Sequence, residues 1–97
     1  MSKVYVGQDA LRIKLYCGVN ISGSLDVKIK YKKHGDESIY EWMAVIEDPI
    51  KGVIYYDVQL GDLDVAGEWT VWASITFSDG RTAPGEASKF YVYNEGE

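Results

Sequence analysis

An all-β fold, an immunoglobulin-like antiparallel β-sandwich of about seven short strands with no disulfide, is the architecture this sequence predicts. Three observations carry it. Apolar residues recur with a period of two through most of the chain, and turn residues punctuate the runs. Aromatic residues form 13% of the composition, and three tryptophans with eight tyrosines favour strands over helices. At 97 residues the chain has the size of one typical domain, so residues 1–97 are read as a single sandwich with one core.

The elements follow in order. Val4 and Val6 mark a short first strand at an edge. Leu11, Ile13 and Leu15 share one face, with Arg12 and Lys14 turned to water. From Leu25 to Lys32 the alternation is cleanest: Leu25, Val27, Ile29 and Tyr31 against Asp26, Lys28, Lys30 and Lys32. Successive side chains of a strand point to opposite faces, so this pattern predicts a half-buried antiparallel strand. After the polar loop Lys33 to Glu37, Tyr40, Trp42, Ala44 and Ile46 are expected to face the core, until Asp48-Pro49 breaks the run. Ile54, Tyr56, Val58 and Leu60 form the next apolar face. The loop Gly61 to Gly67 leads into Trp69, Val71, Ala73, Ile75 and Phe77. Asp79-Gly80 supplies a hairpin turn, since Asp-Gly takes positive φ values readily. Pro84-Gly85 interrupts the returning arm, and a last strand from Lys89 to Tyr93 turns Phe90 and Val92 inward. Asn94 to Glu97 reads as a frayed end, or as the start of a connection to a next domain. No helical periodicity, internal repeat or linker interrupts this pattern.

Charge and cysteine usage narrow the function classes. A net charge of −5 opposes binding to nucleic acid, which needs surplus lysine and arginine. Cys17 is the only cysteine, so no intrachain disulfide can form, which fits a reducing compartment. The segment from Met1 to Val6 carries no apolar stretch of signal-peptide length, and nothing approaches a membrane span. The sequon Asn20-Ile21-Ser22 is accordingly read as chance.

No catalytic constellation is expected. His34, the one histidine, falls in a charged surface loop, and Cys17 continues the alternation from Leu15 as a small buried hydrophobe. Asp57, Asp62, Asp64 and Glu68 lack the full pattern of a Ca²⁺ loop and read as a solvated turn. The glycines form no phosphate cradle. No cofactor and no metal are therefore expected. The informative feature is an exposed aromatic set. If Val71 and Ala73 face the core, Trp72 faces out, and the same parity turns Tyr91 and Tyr93 out on the last strand. In an immunoglobulin-like topology these two strands pair, with the Leu25–Lys32 strand on the other side of the first. One outer face then carries Trp72, Tyr91 and Tyr93 beside Lys28 and Lys30, a composition suited to a protein interface. A sugar-binding platform of aromatics, or burial of Trp72 under lysine stems or a neighbouring domain, are the competing readings.

The order of motifs adds a resemblance. Asp9-Ala10-Leu11-Arg12-Ile13-Lys14-Leu15 and Ile21-Ser22-Gly23 before Val27-Lys28-Ile29-Lys30-Tyr31 resemble the opening of small immunoglobulin-like domains in phage tail and baseplate proteins. These include the N-terminal domain of lactococcal-type baseplate upper proteins. Gly52-Val53-Ile54-Tyr55-Tyr56, Ala66-Gly67-Glu68-Trp69-Thr70-Val71 and Phe77-Ser78-Asp79-Gly80-Arg81 are similar to the later strands of that family. The resemblance implies a non-catalytic structural domain of a phage or prophage virion. Such a part is assembled in the bacterial cytoplasm and contacts other virion proteins, or itself, through a sheet face. The alternative is a bacterial cell-surface module, cut from a longer chain, that binds a carbohydrate or a protein. Neither reading involves nucleic acid or membrane insertion.

Overall fold

The computed structural model describes residues 3–96. Among these, nine strands follow one another along the chain: β1 (Val4–Tyr5), β2 (Arg12–Tyr16), β3 (Ser24–Lys32), β4 (Tyr40–Met43), β5 (Val45–Asp48), β6 (Val53–Asp57), β7 (Gly67–Phe77), β8 (Thr82–Pro84) and β9 (Ser88–Tyr93). They form two sheets. The larger runs β1-β9-β7-β3-β4, with β8 paired to the far half of β7, and the smaller runs β2-β6-β5. Every pair is antiparallel except β1 on β9. The smaller sheet holds the places of strands B, E and D of an immunoglobulin sandwich, and β9-β7-β3-β4 those of G, F, C and C′.

Alternation explains most of the core. Along β7, Trp69, Val71, Ala73 and Ile75 are buried, while the residues between them lie on the outer side. In β3, Val27, Ile29 and Tyr31 do the same. The seven expected runs are all present as strands. Two more arise because the returning arm forms β8, and because the run from Tyr40 divides. At Ala44 the chain leaves the larger sheet for the smaller, so Tyr40 and Trp42 face the core from one sheet and Ile46 ends exposed at the edge of the other.

Leu25 departs from its expected place. The β3–β7 register shifts between Ser24 and Asp26; a bulge inserts one residue and flips the parity before it. Leu25 is consequently 73% exposed. Leu60 is also exposed, since β6 ends at Asp57. Two loop residues, Ile21 and Leu63, are instead fully buried. Of the expected frayed end, Asn94 to Gly96 follow β9 and Glu97 lies outside the described residues, as do Met1 and Ser2.

Aromatic stacking takes over the centre that a disulfide holds in antibody domains. Trp42 stacks on Tyr31 at 4.0 Å and on Tyr56 at 4.7 Å between centroids. Tyr31 continues the stack to Trp69 at 5.5 Å, and Trp69 meets Phe90 at 6.1 Å. Offset-stacked pairs of this kind add stability beyond the area they bury. Trp69 also donates its indole N–H to the Val65 carbonyl at 2.9 Å. It thereby occupies the place of the corner tyrosine of immunoglobulin domains, at the start of the F strand and bonded to the backbone just upstream.

Candidate functional site

The outer face of the larger sheet is built by the strands that alternate best. Val71 and Ala73 are buried, so the intervening Trp72 projects to the outer side, where it lies half-buried. Its partner across the strand pair is Lys30, and Lys30 in turn faces Glu41 on β4. The next row reads Ser74, Lys28, Met43. Lys28 bridges Glu41 at 2.8 Å and Asp26 at 3.3 Å. Those hydrogen bonds, to Glu41 first, push its ammonium above the ordinary lysine range. Among the described residues, no ion pair engages Lys30, and no ring or cation stacks on Trp72.

The structure therefore joins Trp72, Lys28 and Lys30 in one patch. Tyr91 and Tyr93 share the face but not the patch. Tyr91 lies across from Glu68, four residues before Trp72, or about 13 Å along a strand rising about 3.3 Å per residue. The row of Lys89 and Thr70 and the Lys89–Glu68 ion pair of 3.5 Å lie between. The tyrosines instead make a second patch at the β9–β1 side. Tyr91, 51% exposed, packs its ring 4.7 Å from that of Tyr93. Tyr93 meets Tyr5 at 6.3 Å and lies under the Lys3 ammonium at 4.7 Å. Tyr5 is the member that sequence reasoning missed. Its place between Val4 and Val6 carried the signal, because the parity that turns those valines inward turns Tyr5 out.

The outer face of the smaller sheet is different in kind. Arg12 holds Asp57 through two hydrogen bonds, of 2.7 and 3.1 Å, and lies 3.9 Å over the ring of Tyr55. Lys14 crosses to Glu47 at 3.0 Å. These pairs satisfy one another across all three strands, so the face offers little unspent charge.

The remaining candidates have structural places. His34 lies against Gly67, and its Nδ1 accepts the Glu68 N–H at 3.3 Å. Cys17 is half-buried, and burial pushes its thiol up, away from the reactive thiolate. The four acidic residues have separate partners. Asp57 takes Arg12, Asp62 takes the Tyr56 hydroxyl at 2.6 Å, Asp64 takes Lys33 at 2.9 Å and Glu68 takes Lys89. Among the described residues, no group of three or more histidine, cysteine or acidic side chains could hold a metal ion. A depression of about 160 Å³ is lined by Lys14–Tyr16 of β2 with Ala73, Gly85, Glu86 and Ser88.

No curated protein matches the sequence. Among solved structures, that of CopC from Methylosinus trichosporium OB3b superposes with a TM-score of 0.60 at 18% identity, covering 100% of this chain and 89% of that one; the likeness is one of fold. The model of the BppU N-terminal domain, the N-terminal domain of baseplate upper proteins, matches residues 5–90. That span takes in both sheets apart from Val4 of β1 and the last part of β9, and with it the chain belongs to the baseplate upper protein N-terminal domain family, a structural component of the phage baseplate.

Proposed function

We propose that residues 1–97 act as one non-catalytic structural domain that contacts other virion proteins through the outer face of its larger sheet. Trp72 with Lys28 and Lys30 is the centre of that contact, and Tyr91 with Tyr93 its flank. The observation that carries the reading is Trp72 itself. A half-buried indole projects from the middle of a sheet face beside Lys30, with no ring or ion pair among the described residues to account for either. Tryptophan and tyrosine supply much of the energy of protein interfaces when a partner excludes water from them. The smaller sheet, whose outer charges neutralise one another, is by contrast a finished surface. Membership of a structural baseplate family supports a virion partner, and under this reading the part is assembled in the bacterial cytoplasm.

The test is incorporation into particles. A phage complemented with Trp72→Ala or Lys30→Glu protein is expected to carry less of it per particle, while the purified variants melt close to the parent. Undiminished incorporation of both would remove the sheet-face contact. Glycan binding that is lost on Trp72→Ala, with incorporation unchanged, would favour the carbohydrate-binding alternative.

A further inference from the structure

A sheet edge exposes a row of backbone donors and acceptors, and folded proteins guard such edges with charge, proline, bulges or brevity. On the larger sheet, β1 has two residues, and β8 has three and ends in Pro84. On the smaller sheet, β2 presents Arg12 and Lys14, and β5 is bulged between Ile46 and Asp48 and followed by Pro49. The β4 edge lacks these devices apart from its four-residue length. Its one outward charge, Glu41, is held by Lys28 at 2.8 Å.

The backbone direction along β4 is fixed. The Ala44 N–H donates to the Val27 carbonyl at 3.1 Å, so Tyr40, Trp42 and Ala44 direct their backbone groups into the sheet. In an antiparallel ladder the alternate residues then point outward. Glu41 and Met43 thus aim their N–H and C=O groups at the open edge. Ile39 and Met43, which alternation puts on the same side of this edge as Glu41, are 55% and 67% exposed.

We propose that this edge is a self-association surface, to which β4 of a second copy adds antiparallel about a twofold axis passing beside Trp42. Charge chooses the occupant and the register. Pairing centred on Glu41 would set two carboxylates against each other, and like charges directly opposite destabilise a strand pair. Pairing centred on Trp42 sets Glu41 against Met43 of the second copy. Behind these residues lie Lys30 and Lys28, so the row across the junction reads Lys30, Glu41, Met43, Lys28 with no like charges adjacent. The two larger sheets become one continuous sheet, through an edge that adjoins the Trp72 patch at Lys30 and Lys28.

Sedimentation equilibrium together with hydrogen exchange tests this on the whole chain. The expected result is a concentration-dependent dimer in which the Glu41 and Met43 amides gain protection as the dimer forms. Met43→Glu places a second carboxylate opposite Glu41 and should weaken association about tenfold or more. Met43→Lys places an ammonium there and should leave it intact or tighten it. A monomer at every concentration overturns the proposal, as does Met43→Lys weakening association as much as Met43→Glu. Protection of the two amides that comes only with another virion protein would also overturn it, in favour of a strand from that protein.

Discussion

The indole N–H of Trp69 reaches back 2.9 Å to the carbonyl oxygen of Val65, so one side chain fills the centre of the core and fastens the turn that enters β7. Trp69→Ala should therefore destabilise the domain by roughly 3–5 kcal/mol, the range for large-to-small changes at buried aromatics. Trp69→Phe keeps most of the volume and loses the hydrogen bond, for a cost of about 1–2 kcal/mol. Urea unfolding of the two variants separates the contributions.

Trp72→Ala should cost far less, about 1 kcal/mol or under, because a half-buried residue on the solvent side leaves no enclosed cavity. Equal losses at Trp69 and Trp72 would contradict the assignment of faces.

Gly67 adopts φ +123, and a Cβ at this position would strike the ring of His34. Gly67→Ala is expected to cost at least about 2 kcal/mol, combining left-side backbone strain with the collision. Adding His34→Ala should restore part of the loss by removing the ring, though the contact with the residue-34 Cβ and the backbone strain remain. His34→Ala alone removes one exposed, long hydrogen bond and should cost less than about 1 kcal/mol. If the double variant is no better than Gly67→Ala, the ring contact is not the obstacle.

Stability should fall at both ends of the pH range. Burial first, then the hydrogen bond to Asp62, raise the Tyr56 hydroxyl above its ordinary 10.0, and burial raises Tyr31 as well. A group with a raised folded-state pKa gives stability that is complete below the unfolded value and declines as pH climbs past it. Melting temperatures are thus expected to drop above pH 10, with a shallower alkaline decline for Tyr56→Phe. Asp36, held low by the Ser38 N–H and the Tyr40 hydroxyl, and Asp57, held low by Arg12, act in the opposite sense. Their contribution is present above 3.8 and fades as pH falls below it. Arg12→Gln should flatten the acid limb.

Much of this architecture was legible in the sequence because two-residue alternation reports directly on which side of a sheet a residue lies. Trp69, Val71, Ala73 and Ile75 were placed inward and Trp72 outward by that rule alone, and each is so placed. The rule fails where the strand stops being regular. Leu25 precedes a register shift, and Ile46 follows the crossing at Ala44. Ile21 and Leu63 are buried from loops, where no period exists to reveal them. The candidate face shows the same limit. Parity gave its members but not their spacing. Tyr91 stands opposite Glu68 and not beside Trp72 because strand register is set by pairing partners far apart in the chain.

The pairing of β1 with β9 has a mechanical consequence. These two strands run parallel, Val4 beside Val92 and Tyr5 beside Tyr93, and the Val6 N–H continues the ladder to the Tyr93 carbonyl at 2.8 Å. Tension that draws β1 backward and β9 forward shears all of these bonds together and cannot open them one by one. Under load along the chain, the short parallel ladder works as a clasp.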